Sequence, residues 1–408
     1  MCAEHGTKEK SFYNSTIIYI LMIALGIFSG MSDIAILKDF GLLISNIFIK
    51  IFKCISLPII ALSIIVTMSS YASKGSMKKV WQRSVFYTLS TTIIAASVSC
   101  LLYLTINPKN INIIAEAAPE NNVVTSYSQH ILGLIPSNIF SPFLEHQVMG
   151  VLMVGVLVGI AIRYIQEKEA KEAITNFFKG AHGIFLVITN WVVKIIPLAL
   201  YGFITATVIQ LREGMDIMAL GEYLSIIILA NLIQGFIVLP LWLKSNNIKA
   251  FETMKGMFPA LSVAFFSKSS AGTLPVTIEM TEKNLQVNPK ISRFVLPLCT
   301  SINMNGCAAF IFATVIYLMQ NNGMDISLST MFFWIFIASV AAIGNAGVPM
   351  GCFFLSASLL ASMNIPITLL GIILPFYSII DMVETALNVW SDACVAKVIN
   401  EKVTLEEI

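Results

Sequence analysis

The chain has 408 residues, of which 57% are hydrophobic and only 12% are charged, and its mean hydropathy is +0.82. Soluble domains carry about 25% charged residues, so this composition excludes an ordinary soluble protein and indicates an integral membrane protein. The formal net charge of +2 gives no reason to expect a nucleic-acid partner.

Eight apolar segments are long enough to cross a bilayer as helices. A helix needs about 20 apolar residues to span a hydrocarbon core of about 30 Å. The sequence predicts spans at 15–32, 41–69, 84–104, 148–165, 182–209, 221–243, 294–319 and 368–398. We expect the first span to be retained, because it lacks a persuasive small-residue cleavage site.

Two further apolar segments, 257–280 and 332–363, are interrupted by Gly, Pro and Ser. The interruptions are SKSSAGTLP at 267–275 and GNAGVPMG at 344–351. Broken backbone at membrane depth survives only when it is buried in protein or lines a watery cavity. Such a pair of broken segments is typical of a transporter binding site.

Loop charges predict the topology, because cytoplasmic loops collect Lys and Arg. Basic residues dominate the 72–83 loop and the loops after the fourth and sixth spans, whereas the 105–146 loop is mainly acidic. This alternation places both termini in the cytoplasm and makes each broken segment a re-entrant hairpin, the two opening to opposite sides. The expected fold is an all-α membrane protein with eight transmembrane helices, two re-entrant helical hairpins and inverted repeats.

The cysteines and histidines show no metal-binding pattern. The seven cysteines are scattered and form no CxxC pair, and the four histidines lack ligand spacing. We therefore expect the cysteines to be buried reduced thiols.

The last span carries a polar face inside an apolar helix. Its members, at i, i+3, i+4, i+7 and i+11, are Asp381, Glu384, Thr385, Asn388 and Asp392. An acidic residue at the centre of a membrane-spanning helix costs about 2.5–3.5 kcal/mol of insertion free energy, so such residues usually face a cavity or a pathway. For Asp392, close to the cytoplasmic Lys397, a solvated helix end is the alternative.

The seventh span contains TSINMNG at 300–306. Asn303 and Asn305 in mid-span indicate a local break whose carbonyl and amide groups need partners. Carbonyl, amide and carboxylate oxygens are hard ligands that suit an alkali cation. Interhelical hydrogen bonds are the alternative role for either asparagine.

Four motifs in order resemble the dicarboxylate/amino acid:cation symporter family, the sodium-coupled glutamate transporter homologues. SKSSAGTLP resembles the serine-rich tip of the first hairpin, INMNG the NMDG signature, GNAGVP the second hairpin tip and DMVETALNVWSD the eighth-helix motif. The resemblance covers nearly the whole chain in span order. It implies a homotrimeric elevator transporter in the plasma (inner) membrane, without catalytic residues or a cofactor.

The resemblance also implies a division of the chain. Spans 1, 2, 4 and 5, within 15–70 and 130–210, would form the scaffold and the trimer contacts. Residues 84–104 and 221–398 would form the moving transport domain. Residues 1–14 and 399–408 would be cytoplasmic tails.

The family's roles carry over onto matching positions. Asp381 would hold the substrate α-amino group. The substrate carboxylate would be held by Asn388, Ser270 and the backbone amides of the hairpin tips, and Thr385 would line the pocket. The implied substrate-binding set is Ser269, Ser270, Cys307, Gly347, Val348, Asp381, Glu384, Thr385 and Asn388.

The resemblance implies sodium sites as well. The first would use Asp392 with carbonyls of Cys299, Asn303 and Asn388, and the second Ser301 with carbonyls near Ala342, Ile343 and Asn345. A candidate third site would use Tyr87, Ser90 and Thr91 with Asn303 and Asn305. For the YTLST hydroxyls (87–91), hydrogen bonds back to their own helix are the alternative.

Three positions depart from the acidic carriers of the family. Glu384 stands where those carriers have an arginine, Cys307 replaces Thr or Ser, and Asn305 replaces the Asp of the third cation site. A carboxylate at 384 should repel acidic substrates, and ETALN (384–388) resembles the serine/threonine branch.

We therefore predict sodium-coupled symport of a small neutral amino acid, serine- or threonine-like. The alternatives are proton coupling, with Glu384 protonated in a dry pocket, or a cationic, cystine-like or dicarboxylic substrate. A channel, an intramembrane enzyme and a structural protein fit the broken hairpins less well.

Overall fold

The computed structural model describes residues 18, 20–70, 77–111, 136, 138–144, 148–212, 217–345, 347, 350–363, 365 and 368–403. Within these ranges every regular element is helical, as predicted. The α-helices are Ile20–Met31, Ala35–Ser70, Met77–Ile106, Ser141–Leu144, Val148–Tyr164, Lys168–Lys194, Ile196–Arg212, Ile217–Ile233, Leu239–Ser245, Ala250–Ser267, Ser270–Lys283, Pro289–Ile302, Asn305–Asn321, Leu328–Ala342, Gly351–Ser362 and Thr368–Lys402. A π-helical segment covers Gln234–Val238 and a 3₁₀ turn covers Ile343–Asn345.

Four helical segments of the described chain are long and apolar enough to cross a bilayer. They are Lys79–Ile106, Met218–Ser245, Pro289–Asn321 and Leu328–Asn345. Shorter apolar helices are Ile20–Met31, Leu57–Ser69, Gly150–Tyr164, Ile196–Ile209 and Gly351–Ala361. Aromatic side chains such as Phe86, Phe236 and Phe258 are exposed on the outside. An extensive apolar exterior is what a protein surrounded by lipid presents.

The predicted fifth span, 182–209, is divided in the structure. Lys168–Lys194 and Ile196–Arg212 are separate helices that meet at Ile195. Pro197 lies in the first turn of the second helix. Because proline has no N–H to donate and disfavours a helical conformation in the preceding residue, the break falls just before it.

Hairpin 1 consists of Ala250–Ser267 and Ser270–Lys283, which pack against each other. The chain reverses at Lys268, whose φ of 55° is left-handed, and at the extended Ser269. The Ser269 hydroxyl accepts a hydrogen bond from the backbone N–H of Gly272 at 3.0 Å and so caps the second helix. Both helices extend beyond the predicted limits of the hairpin.

The broken helix consists of Pro289–Ile302 and Asn305–Asn321. Between them, Asn303 and Met304 have non-helical backbone, with φ of −100° and −108°. The second half is buried on all sides over most of its length, which explains why its sequence is apolar all round. The break falls where the paired asparagines predict it.

Hairpin 2 consists of Leu328–Ala342, the following 3₁₀ turn and Gly351–Ser362. The Ser327 hydroxyl caps the first helix by accepting from a backbone N–H. Two described residues of its tip, Gly347 and Met350, have left-handed φ values of 64° and 62°. Val348, a predicted substrate-binding residue, lies outside the described residues.

The last helix, Thr368–Lys402, packs against hairpin 1, both halves of the broken helix and Met77–Ile106. It runs past the predicted end at 398. The Lys397 ammonium lies 2.7 Å from the Glu401 carboxylate, an i,i+4 ion pair that supports the final turn.

The helix Ala35–Ser70 packs against Val148–Tyr164, Lys168–Lys194 and Ile196–Arg212. This group covers the second, fourth and fifth predicted spans, which are three of the four that the resemblance assigns to the scaffold. It meets the last helix closely: a Cβ at Gly371 would lie 2.4 Å from Cδ1 of Phe203. Only glycine lets the two helices approach this far.

An ion pair joins hairpin 1 to the broken helix. Glu282 accepts hydrogen bonds from Arg293 Nε at 2.9 Å and from the Ser292 hydroxyl at 2.6 Å. Hydrogen bonds from Arg293 and Ser292 lower the pKa of this carboxyl. Because the folded pKa is depressed, the stabilisation is present above the unfolded pKa and is lost as the pH falls through the folded pKa.

The Gly306→Ala substitution tests the packing of the broken helix against the last helix. A Cβ at Gly306 would lie 2.8 Å from the Glu384 Cα and 2.9 Å from the Asn231 Oδ1, so two helices must move apart. We expect a loss of about 1–3 kcal/mol of stability, measured by thermal unfolding in detergent. Gly221→Ala is the matched control, because no heavy atom lies within 4 Å of its Cβ position. Equal melting temperatures for the two variants would contradict this packing.

The expectation of reduced cysteines is wrong for two of them. Cys307 and Cys352, 45 residues apart, are joined as a disulfide between the broken helix and hairpin 2. Among the described cysteines, Cys54, Cys100, Cys299 and Cys394 are free, but Cys54 is exposed and not buried as expected. The pairing depends on two broken segments meeting in space, and no sequence spacing signals it.

Candidate functional site

The tips of the two hairpins meet. The Gly347 carbonyl accepts hydrogen bonds from the Ser269 hydroxyl at 3.2 Å and from the Ala271 N–H at 3.3 Å. A Cβ at Gly347 would lie 3.0 Å from the Thr300 carbonyl oxygen. The second helix of each hairpin begins at this junction, and helix N-termini attract carboxylate groups.

Asp381 lies beneath hairpin 2 and is 4% exposed. Its Oδ2 accepts a hydrogen bond from the backbone N–H of Met350 at 3.1 Å. Its backbone carbonyl accepts from the Thr385 hydroxyl at 2.7 Å. The structure thus places the predicted ammonium partner directly under a hairpin tip.

Lys268 joins this site, although the sequence analysis did not select it. Its ammonium donates to the Ser378 hydroxyl at 2.6 Å, one turn before Asp381 on the last helix. The positive charge of the Lys268 ammonium attracts the negative charge of the Asp381 carboxylate. The signal available in the sequence was a lysine within an otherwise uncharged hairpin tip at membrane depth.

Glu384 is buried one turn further along, with 1% exposure. Its Oε2 accepts a hydrogen bond from the Tyr377 hydroxyl at 3.3 Å. Its Oε1 has no hydrogen-bond partner among the described residues. A buried acceptor without a partner is costly and is a feature of functional sites.

Asn388 connects the last helix to the broken helix. Its Oδ1 accepts from the Gly306 N–H at 2.9 Å, and its Nδ2 lies 3.5 Å from the sulfurs of Met304 and Cys307. Asn345 approaches the same place from hairpin 2, with Nδ2 2.9 Å from the Cys307 sulfur. Three elements therefore converge on Cys307.

A second cluster surrounds Asp392, which is 1% exposed. Asn303 Nδ2 donates to Asp392 Oδ1 and to the Ser391 hydroxyl, both at 2.9 Å. The solvated helix end considered for Asp392 is therefore wrong, because the carboxylate is enclosed by the broken helix. The Cys299 carbonyl, a predicted ligand, accepts the Asn303 N–H at 2.7 Å.

Asn305 extends this cluster. Its Nδ2 donates to Asn303 Oδ1 at 2.9 Å and to the Ser391 hydroxyl at 2.6 Å. Thr91 donates to the same Asn303 oxygen at 3.0 Å. Gln234 donates to Asn305 Oδ1 at 3.0 Å. The asparagine pair is therefore held in one buried network, which includes the predicted interhelical hydrogen bonds.

Gln234 and Ser391 were missed by the sequence analysis. Gln234 begins the π-helical segment, a feature often found at functional sites. The neighbouring Gly235 carbonyl accepts a hydrogen bond from the Trp390 indole at 3.1 Å. The signal available for Gln234 was a polar residue one turn after Asn231 in a largely apolar span.

Some of the remaining predicted residues lie near the hairpin tips, and others contact their own or a neighbouring helix. Ser270, Ala342 and Asn345 are buried near the hairpin tips, and Ser301 and Ile343 are half-buried. The Ser90 hydroxyl donates to the Phe86 carbonyl of its own helix, and the Tyr87 ring packs on Trp242. Of the candidate third-site residues in the Met77–Ile106 helix, Thr91 alone is hydrogen-bonded to the asparagine network in the described part of the chain.

The site contains two clusters of polar side chains that suit different ligands. Under the hairpin tips, two carboxylates, one ammonium and helix N-termini suit a small zwitterion. Deeper along the last helix, Asp392, Asn303 and Thr91 supply the oxygen ligands that a hard cation prefers.

Comparison with known proteins finds a matching family and several similar relatives. The sodium:dicarboxylate symporter family matches residues 16–402. "Putative sodium-dependent excitatory amino acid transporter glt-4" of Caenorhabditis elegans is 27% identical over 87% of this chain and 81% of its own length. Neutral amino acid transporter B(0) of Homo sapiens is 23% identical over 85% of this chain and 71% of its own length. Neutral amino acid transporter A of Homo sapiens is 27% identical over 63% of this chain and 49% of its own length.

The match spans all of the helices that build the two clusters, including the broken helix and both hairpins. The apolar helices make the protein a multi-pass membrane protein. The chain therefore belongs to the sodium:dicarboxylate symporter family, whose members are transporters and not enzymes.

Proposed function

We propose that the protein is a secondary active transporter that carries a small neutral amino acid, of the serine or threonine kind, together with Na⁺. The observation that carries this proposal is the buried carboxylate of Glu384 in the pocket that holds Asp381. The names of the relatives include both excitatory and neutral amino acids. The charge of this pocket is what favours a neutral substrate.

The formal charges of Asp381, Glu384 and Lys268 sum to one negative charge. A zwitterionic amino acid brings an ammonium for Asp381 and a carboxylate for the hairpin tips. A substrate with a second carboxylate would place a like charge near Glu384, at a low effective dielectric, and lose several kcal/mol. Serine and threonine avoid this repulsion, and their hydroxyl group is a donor for the unpaired Oε1.

The cluster around Asp392 supports Na⁺ as the coupling ion. Asp392 supplies charge, and Asn303 and Thr91 supply neutral oxygens close by. Asn305 takes the place of a negatively charged aspartate in the candidate third site, which makes the Asp392 site the stronger of the two. The second site, at Ser301 and the carbonyls of hairpin 2, remains part of the proposal.

We assign the moving and fixed parts by the family pattern. The moving part would contain hairpins 1 and 2, the broken helix, the last helix and the helices at 84–104 and 221–243, which contribute Thr91 and Gln234 to the second cluster. The helices around Ala35–Ser70 would be the fixed scaffold and the trimer contact. The cytoplasmic position of both termini is proposed from the loop charges, and the plasma (inner) membrane from the family resemblance.

A second candidate is proton coupling through Glu384. It is favoured by the burial of this carboxyl and by the unpaired Oε1. Intramembrane acids of this kind form proton relays in transporters.

Uptake of labelled amino acids into proteoliposomes tests the substrate and the coupling ion. The panel contains serine, threonine, aspartate, glutamate, arginine and cystine, with an inward gradient of either Na⁺ or protons. We expect serine and threonine uptake under the Na⁺ gradient. Strong aspartate uptake would contradict the proposed role of Glu384, and uptake driven only by protons would establish the second candidate.

The Glu384→Gln substitution tests the specificity directly. Removing the charge should raise the ratio of aspartate to serine uptake by at least about tenfold. Glu252→Gln, which removes an exposed carboxylate on the outer helix of hairpin 1, should leave the ratio unchanged. An unchanged ratio in Glu384→Gln would show that this carboxylate does not select the substrate.

A further inference from the structure

Two cysteines and an acid from three elements meet in the pocket. Cys307 lies in the first turn of the second half of the broken helix, Cys352 in the first turn of the second helix of hairpin 2, and Glu384 in the last helix. The two sulfurs and a Glu384 carboxylate oxygen lie within 4.8 Å of one another. All three residues are about 1% exposed.

A second observation points to a ligand at this cluster. Glu384 Oε1 has no hydrogen-bond partner among the described residues, and neither has Oδ1 of Asn345, whose amide nitrogen lies 2.9 Å from the Cys307 sulfur. Buried oxygens are nearly always paired, so two unpaired acceptors around one pair of sulfurs are unusual. A bound cation would satisfy the carboxylate.

The donor set identifies the kind of cation. Thiolate sulfur and carboxylate oxygen both bind Zn²⁺ in tetrahedral sites, and a set of three protein ligands leaves one position open. Ligand atoms on such an ion lie about 3.5–3.8 Å apart, which follows from bond lengths of about 2.1–2.3 Å. After reduction the two sulfurs must move apart from bonding distance, while the Glu384 oxygen already lies within 4.8 Å of both.

The surroundings favour thiolates. Asn345 Nδ2 lies 2.9 Å from the Cys307 sulfur, and Asn388 Nδ2 lies 3.5 Å from it. Amide donors to a ligating sulfur stabilise its charge and orient it. The pocket therefore supplies outer partners as well as ligands.

We propose that Cys307, Cys352 and Glu384 form a binding site for a thiophilic divalent cation when the disulfide is reduced. A phosphine reduces the disulfide to two thiols and takes an oxygen atom from water to become a phosphine oxide. The metal ion then displaces one proton from each thiol. The disulfide form, as in the structure, has no thiolates and does not bind the ion.

Occupation of this site would tie hairpin 2 to the broken helix and to the last helix. The hairpin tip covers Asp381 through the Met350 N–H. A metal bridge would hold it closed, so the reduced protein should stop transporting when the ion binds and recover when a chelator removes it. This inhibition extends the proposed function, whereas metal binding itself does not depend on it.

Cadmium is the probe, because its thiolate complexes absorb in the ultraviolet. The full-length protein in detergent is reduced with a phosphine, freed of the reductant without air and titrated with Cd²⁺. We expect a thiolate-to-cadmium charge-transfer band that saturates at one ion per chain. The unreduced protein should not form this site.

Three variants assign the ligands. Cys352→Ser and Glu384→Gln should each weaken Cd²⁺ binding by at least about tenfold, which is what the loss of an outer partner alone costs. Cys54→Ser removes an exposed thiol outside the cluster and should retain the wild-type titration. Glu384→Gln keeps both cysteines, so it still tests the site if Cys352→Ser does not fold.

Two results would overturn the proposal: a reduced protein that binds no Cd²⁺, or a Cd²⁺ titration that neither Cys352→Ser nor Glu384→Gln changes. The absorbance reports binding without transport. A protein that binds Cd²⁺ as expected but carries no amino acid would contradict the proposed function and leave the metal site standing.

Discussion

The Asp381→Asn variant should lose amino-acid binding, with an affinity at least about a hundredfold below that of the wild type. The Asp381 carboxylate is buried beneath the tip of hairpin 2, where it would be the anionic partner of the substrate ammonium. Removing one partner of a buried charge pair costs about 3–5 kcal/mol. Equilibrium binding of labelled serine to the purified protein measures this loss.

Asp325→Asn is the matched control, because it makes the same chemical change at an exposed loop residue. It should bind serine like the wild type. Thermal unfolding of both variants checks that the fold is kept. If Asp381→Asn binds serine normally, the position assigned to the substrate ammonium is wrong.

The Asp392→Asn variant should lose the sodium dependence of serine binding. In the wild type, we expect the serine affinity to rise with Na⁺ concentration, because each ligand favours the binding of the other. The amide of the variant has no charge to hold the ion, although it can keep the hydrogen bond to Asn303. Serine affinity measured at a series of Na⁺ concentrations, with choline as the replacement cation, reports this coupling.

Glu401→Gln is the control for this measurement. Glu401 lies on the same helix, but its carboxylate is exposed and paired with Lys397. Its removal should leave the sodium dependence intact. A wild-type sodium dependence in Asp392→Asn would place the coupling ion elsewhere in the protein.

The sequence predicts the broken elements of this fold well, because their signals are local. Glycine, proline and serine mark hairpins 1 and 2, and paired asparagines mark the break at 303–304. The helical spacing of polar residues places Asp381, Glu384 and Asp392 on one buried face of the last helix.

The boundaries and the tertiary partners are harder to predict. The last helix continues to Lys402 because Val398 and Ile399 are buried in the core, and an i,i+4 ion pair adds support there. The contact of Lys268 with Ser378 joins residues 110 positions apart, and the Gln234–Asn305 contact joins a π-helical segment to the broken helix. Such contacts depend on how helices pack, which residue spacing does not encode.

The same limit explains the cysteine error. Cys307 and Cys352 each resemble an isolated buried thiol in the sequence. They meet because the tip of hairpin 2 folds over the break in the broken helix. The unpaired oxygens of Glu384 and Asn345 become visible only in that arrangement.

The central claim is that a sodium gradient drives the uptake of a neutral amino acid. Proteoliposomes loaded with labelled serine at the external concentration, and then given an inward Na⁺ gradient at clamped membrane potential, test it most directly. We expect internal serine to rise above the external concentration and to return to it when the Na⁺ gradient is dissipated. Internal serine that stays at the external concentration throughout would contradict sodium-coupled transport.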